Sequence, residues 1–173
     1  MGKIKAYFTG EIIFSNSAEA HFFYEKSVFG EPVGGKINYS FPEALFLSEE
    51  GKMEIFSKSG KKINHEEMQK KIQRLDKKID TKYSVFKDMR KKGHILKTAL
   101  KFGADFRAYE KGKMPGEEHA KWLVFSEKET GKFSWSEFSA KNRVAHSTKK
   151  ILLLAIVDEE GDVTYYEVGW VRP

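Results

Sequence analysis

Tyr109, His119 and Lys150 stand in the second half of the chain as a candidate base, a candidate acid and a fixed cation. Together they are what metal-free cleavage of RNA requires. The 2′-hydroxyl is an internal nucleophile already held beside the phosphorus. The protein has to remove its proton, protonate the leaving 5′-oxygen and stabilise the charge that builds on the phosphate. A free tyrosine titrates near ~10, so this chemistry asks for a cation beside the base to favour the phenolate. Spacing alone does not select these three, because the chain has seven tyrosines, five histidines and many lysines. Read structurally, Tyr109 is a strand-end packing residue, His119 a surface histidine and Lys150 one more solvated lysine.

Other chemistries lack their signatures. There is no GxxxxGK[ST] loop and no HExxH. The run Glu117–Glu118–His119 has no further ligands nearby at a recognisable metal spacing. Asp105 is followed by no Glu-x-Lys anywhere in the chain, which counts against a two-metal nuclease. With no cysteine, disulfides, thiolate zinc sites and a cysteine nucleophile are excluded. No cofactor or metal is expected. The net charge of +6 and a pI of about 9.3 suit a polyanionic partner, nucleic acid first, or a lysine-rich solvated surface. The opening Met1–Gly2–Lys3–Ile4–Lys5 lacks the apolar stretch of a signal peptide, and the apolar run Ile151–Val157 is too short to span a bilayer. A soluble, cytoplasmic protein with no membrane partner is expected.

The elements that must position these residues mix strands and helices, which implies an α/β (α+β) class. Strands are expected over Ile4–Phe8, Glu11–Ser15 and Met53–Phe56. Asn16 and Ser17 offer caps for a helix bearing Ala20, Phe23 and Tyr24, and Gly30, Pro32, Gly34 and Gly35 mark a loop. Ser40–Phe41–Pro42–Glu43 has the capping-box pattern for a short helix ending at Gly51. Asn64 opens a helical stretch with Met68, Ile72, Leu75 and Ile79 at spacings of three and four, continued by Tyr83, Phe86 and Met89 to Gly93. Two helices joined near Asp80–Thr81 are expected, with a domain boundary there: 1–79 as a small N-terminal α+β domain, 80–173 as the second domain. Beyond Gly93, strands are expected over His94–Leu100, Ala104–Glu110 and Lys121–Ser126. A helix capped by Ser134 and Glu137 comes next, then a buried central strand Ile151–Val157 and a last strand Val163–Val171.

Three ordered blocks carry a family resemblance. They are Lys101-Phe102-Gly103-Ala104-Asp105-Phe106-Arg107-Ala108-Tyr109-Glu110, Glu118-His119-Ala120-Lys121-Trp122-Leu123-Val124, and Arg143-Val144-Ala145-His146-Ser147-Thr148-Lys149-Lys150 followed by the Ile151–Val157 strand. In order and separation they resemble the archaeal tRNA-splicing endonucleases, strongly from about Tyr83 to Pro173 and weakly before it. The resemblance implies a restriction-endonuclease-like catalytic domain with a mixed central sheet. It implies cleavage of precursor tRNA at bulge-helix-bulge intron junctions to 2′,3′-cyclic phosphate and 5′-hydroxyl ends, without metal. Carried over residue by residue, Tyr109 falls on the family's general base, His119 on its general acid and Lys150 on its transition-state cation. Lys149 is the adjacent alternative, but Lys150 directly precedes the apolar strand. Arg143 falls on an arginine that stacks against a flipped-out bulge nucleotide. Trp170 falls where members hold a second arginine or a tryptophan; read structurally it is a packing residue of the last strand.

The resemblance also bears on assembly. Two cleavage sites held at a fixed separation imply an oligomer, here a homotetramer or a mixed tetramer with a second, non-identical subunit. The acidic turn Asp158-Glu159-Glu160-Gly161-Asp162 resembles a loop that homotetrameric members insert into a basic groove of a neighbouring subunit; read structurally it is an exposed hairpin turn. The last strand, from Tyr165 to Val171, is expected to pair with its symmetry mate. The alternative functions are a non-catalytic RNA-binding or structural subunit of such an enzyme, a basic RNA-binding module and a metal-dependent nuclease.

Overall fold

The computed structural model describes residues 2–173, which divide into two compact units, one running to Tyr83 and the other Ser84–Pro173. The first unit is built on a six-stranded sheet in the order β3-β4-β2-β1-β5-β6. The strands are β1 (Ile4–Phe8), β2 (Ile13–Ser15), β3 (Glu31–Val33), β4 (Lys36–Tyr39), β5 (Met53–Ser57) and β6 (Lys62–Ile63). Only β1 and β5 run parallel among them, and that pairing needs a crossover. The chain between them supplies helices α1 (Ala18–Ser27) and α2 (Phe41–Glu49). Alternation sorts the sheet faces: Ile4, Ala6, Ile13, Ile37, Met53 and Ile55 are buried.

Local capping sets the helix starts. The Ser17 side chain accepts from Ala20 N at 3.2 Å to open α1. At α2, the Glu43 carboxylate is buried yet accepts from Ser40 N, Ser40 Oγ and Gly30 N, each at 2.9 Å. Gly30 has to be glycine: its φ is +78°, and an added Cβ would lie 2.3 Å from an Ile37 side-chain carbon.

The stretch Gly30–Gly35, expected as a loop, folds as the β3–β4 hairpin. Gly34 and Gly35, with φ of +56° and +78°, make the two-residue turn whose twist suits antiparallel strands. Two helices follow β6 as expected, α3 (His65–Leu75) and α4 (Ile79–Lys91), but the break lies at Asp76–Lys78 rather than Asp80–Thr81. Asp76 is extended (φ −135°, ψ 100°) and its carboxylate accepts from Lys78 N at 2.9 Å, a side-chain-to-backbone bond that competes with continuing the helix. Leu75, expected on the apolar face, is consequently the last residue of its helix and half exposed, while Met68 and Ile72 are fully buried.

The second unit is a five-stranded mixed sheet in the order β11-β10-β9-β8-β7. Its strands are β7 (Leu96–Ala99), β8 (Ala104–Ala108), β9 (Trp122–Lys128), β10 (Ile151–Val157) and β11 (Val163–Val168). Strands β9 and β10 are parallel and the remaining pairs antiparallel. Helix α5 (Trp135–Ser147) makes the crossover between them. It opens with a capping box in which Ser134 and Glu137 bond each other's backbone N–H. One sheet face packs Leu123, Phe125, Leu152 and Leu154 against Ala145 of α5. On the other face Phe106 meets Phe86 of α4 at 5.8 Å between ring centroids. With Leu152 to Ala155 all buried, the unbroken apolar run of β10 is that of a strand covered on both faces. The last strand stops at Val168, three residues short of expectation, so Trp170 lies beyond the ladder.

Candidate active site

All the candidate catalytic residues lie in the second unit, and its topology brings them together. Antiparallel β8–β9 pairs Ala108 with Trp122, and parallel β9–β10 pairs Trp122 with Ile151. The end of β8, the start of β9 and the start of β10 therefore meet at one sheet edge. Tyr109 follows β8, His119 precedes β9 and Lys150 precedes β10.

Tyr109 is buried, at 4% exposure, and its backbone is held on both sides. Its N–H donates to Ile95 O at 2.9 Å, and its carbonyl lies 2.9 Å from His94 Nδ1. The His94 ring is itself fixed edge-on against Trp122, at 5.6 Å between centroids. His119 is exposed at the end of the β8–β9 loop. That loop is braced by Glu117 N and Glu118 N donating to Met114 O, at 3.3 and 3.1 Å, and by an ion pair of Lys113 with Glu118 at 2.8 Å. Lys121, next to β9, pairs with Glu110 at 2.7 Å. The hydrogen bond from Lys121 lowers the Glu110 pKa and correspondingly raises that of Lys121.

Lys150 is aimed by the end of α5. Lys149 N donates to His146 O at 3.0 Å and Lys150 N to Ala145 O at 2.8 Å, the paired bonds of a Schellman cap. Lys149 occupies the left-handed position with φ +55°, where glycine is the ordinary resident. Reversing the chain here turns Lys150 back towards the sheet edge. Its Nζ donates to Thr148 O at 3.1 Å and sits 5.5 Å from the Phe102 ring centroid.

Tyr109, His119 and Lys150 line a single cavity of about 300 Å³, together with Arg107, Gly116 and Glu117. Lys149, the neighbouring alternative, is not in its wall. The arrangement surrounds one small polar space with a phenol, an imidazole and two cationic side chains, groups able to move protons and bind an anion. Among the described residues no three His, Asp or Glu gather as a metal-ligand set. Sequence reasoning did not single out Arg107, and it weighed Glu117 only as a metal ligand beside Glu118 and His119. Strand alternation puts Arg107 on the face of Tyr109 two residues later, and that was the available signal for it.

Arg143 and Trp170 also meet, in a second and largely apolar cavity of about 600 Å³ with Phe138, Asn142 and Val168. Trp170 is 40% exposed. It is propped by His146 at 4.3 Å between rings and by the Arg172 guanidinium at 5.3 Å. The acidic turn joins β10 to β11 as a tight, exposed loop: Asp162 N donates to Asp158 Oδ1 at 2.8 Å, and Gly161 takes φ +87°. No helix among the described residues is long and apolar enough to cross a membrane.

Comparison with known proteins bears on both units. The profile of the tRNA intron endonuclease N-terminal domain matches residues 4–69, and that of the catalytic C-terminal domain matches residues 79–165. The tRNA-splicing endonuclease of Thermococcus kodakarensis is 42% identical over 168 residues, covering 96% of this chain and 97% of the relative. That of Thermococcus onnurineus is 39% identical over 165 residues, with 95% and 94% covered. That of Pyrococcus horikoshii is 37% identical over 170 residues, with 98% and 97% covered. Two domain profiles matched in order, and relatives aligned nearly end to end, show that the chain belongs to the tRNA intron endonuclease family.

Proposed function

We propose that this chain, an endonuclease of tRNA splicing, cuts precursor tRNA at bulge-helix-bulge junctions by metal-independent acid–base catalysis. Tyr109 takes the proton of the 2′-hydroxyl, and the 2′-oxygen attacks the adjacent phosphorus. The bond from phosphorus to the 5′-oxygen breaks as His119 protonates that oxygen. Lys150 offsets the extra charge on the non-bridging oxygens. The products are a 2′,3′-cyclic phosphate and a 5′-hydroxyl. The observation that carries this reading is the convergence of Tyr109, His119 and Lys150 on one cavity from three separate strand ends.

Arg143 and Trp170 grip an unpaired bulge nucleotide between a guanidinium and an indole plane; their shared apolar cavity supports that role. The assembly is a homotetramer of a cytoplasmic enzyme. Asp158, Glu159, Glu160 and Asp162 dock into a basic groove of another copy, and β11, an edge strand of its sheet, pairs with its symmetry mate. The test is cleavage of a bulge-helix-bulge RNA by the purified chain alone in excess EDTA, with analysis of the ends. Cyclic-phosphate ends at both bulges are expected. Cleavage that stops on chelation, or ends bearing a 5′-phosphate, would rule the mechanism out.

A further inference from the structure

Arg107 is the one cation of the active-site wall that the roles above leave idle. It sits on β8, opposite Lys97 of β7 on one side and Leu123 of β9 on the other. Neither cross-strand neighbour is an acid. Asp105, two residues earlier on the same strand face, accepts from Ser126 N at 2.7 Å. The Arg107 side chain takes part in no ion pair or hydrogen bond among the described residues, and its Nε is shut away from solvent with no partner. Of the two carboxylates in the cavity wall, Glu118 is engaged by Lys113, and Glu117 stands exposed at the loop.

A guanidinium cannot shed its charge, so leaving it partly desolvated and unpaired opposes folding. An arrangement of that kind is suited to an anion that arrives later. A phosphate, with oxygens spaced for the guanidinium fork, is the anion this shape fits best. The cavity wall also carries Tyr109 and Lys150, so the phosphate that enters is the one being cut.

We infer that Arg107 is a second phosphate-binding cation of the reaction, donating hydrogen bonds to a non-bridging oxygen of the scissile phosphate beside Lys150. The inference rests on the reading of Tyr109, His119 and Lys150 given above. Lys150 contributes a point charge. Arg107 contributes a planar, directional donor that fixes how the phosphate lies relative to the attacking 2′-oxygen. The bond strengthens as charge builds on the phosphate, so the effect falls on the rate more than on binding.

The experiment compares wild type with Arg107→Ala, Arg107→Lys and Tyr109→Phe in single-turnover cleavage of a bulge-helix-bulge RNA, alongside RNA affinity and thermal unfolding. Arg107→Ala is expected to slow cleavage by about 10²-fold, the scale of losing one oriented donor to a developing oxyanion. RNA affinity should change far less, and the unfolding midpoint should hold or rise, since the removed charge had no protein partner. Guanidinium ion added to the Ala variant should restore part of the rate where sodium at equal ionic strength does not, and Arg107→Lys should fall between wild type and Ala. Wild-type cleavage by Arg107→Ala while Tyr109→Phe is dead would overturn this inference alone. So would a slow Ala variant with a lowered midpoint and no response to guanidinium, which marks a structural role. Wild-type cleavage by Tyr109→Phe would instead sink the underlying mechanism.

Discussion

Replacing Tyr109 with phenylalanine tests the proposed base while leaving the fold around it in place. The ring is buried at 4% exposure, and both main-chain anchors, Ile95 O and His94 Nδ1, are untouched by the substitution. The hydroxyl itself has no hydrogen-bond partner among the described residues. Removing it leaves no orphaned group and no sizeable void, so stability should move by no more than ~0.5 kcal/mol. In a chain of this size that is a shift of at most ~2 °C in the unfolding midpoint. Tyr109→Ala is the wrong probe, since deleting a buried ring costs ~3–5 kcal/mol on its own account. Losing a general base costs ~10²–10⁴ in rate, which is about 2.7–5.5 kcal/mol of transition-state stabilisation. Single-turnover cleavage with enzyme in excess reads the chemical step, and a filter-binding or fluorescence titration reads RNA affinity beside it. The expected result is a rate loss on that scale with affinity and midpoint preserved. Cleavage by the Phe variant at the wild-type rate would refute the assignment of Tyr109 as base.

Further changes test the other parts separately. Trp170→Ala or Arg143→Ala should weaken binding of a bulged RNA by ~1–3 kcal/mol per lost stacking partner and leave binding of a fully paired duplex nearly unchanged, as read by parallel titrations. Ser134→Ala removes the oxygen that accepts from Glu137 N at 3.2 Å and should cost ~1 kcal/mol in chemical denaturation. Glu137→Gln bears on pH: the Ser134 backbone N–H holds the Glu137 pKa below the ordinary 4.5. Its contribution is therefore complete above that value and disappears as pH falls through the folded pKa, so the variant should flatten the acid limb of the stability profile. Converting Asp158, Glu159, Glu160 and Asp162 together to their amides should reduce the proposed tetramer to smaller species in sedimentation, with the fold of the chain intact by circular dichroism.

What could be read from the sequence was what is decided locally. Helix starts depend on a capping side chain and the next few residues, and Ser17, Ser40, Asn64 and Ser134 all act at the positions their spacing indicates. The β10 strand was legible because burial on both faces leaves an unbroken apolar run. The β3–β4 hairpin was hidden because Gly34 and Gly35 serve a loop and a tight turn equally well. The helix break was misjudged because Asp76 acts through its side chain on Lys78 N, which composition does not reveal. The candidate catalytic residues came from resemblance, since spacing could not choose them from among many tyrosines and lysines. Their sharing of one cavity wall depends on strand register, a non-local property.

That register also ties the site to the core beneath it. Tyr109 follows Ala108, which pairs with Trp122, which pairs with Ile151, which follows Lys150. The positions of the two residues along the sheet edge are thus fixed by a ladder, with Lys121 N donating to Ala108 O and Ile151 N to Lys121 O, each at 2.9 Å. A one-residue slip at either pairing would turn a whole strand over, putting its core face towards the wrong side. The cost of such a slip is set by Leu123, Phe125, Leu152 and Leu154, all buried against α5. The apolar core beneath the edge is therefore what keeps the candidate base and cation in register, and the left-handed turn at Lys149 completes the job by reversing the chain just before the strand begins. Shortening a core side chain such as Leu152 to alanine should cost ~2–5 kcal/mol of stability. The same change should leave the chemistry intact in the fraction that remains folded, because a cavity relaxes by packing shifts while a ladder register is kept or lost as a whole.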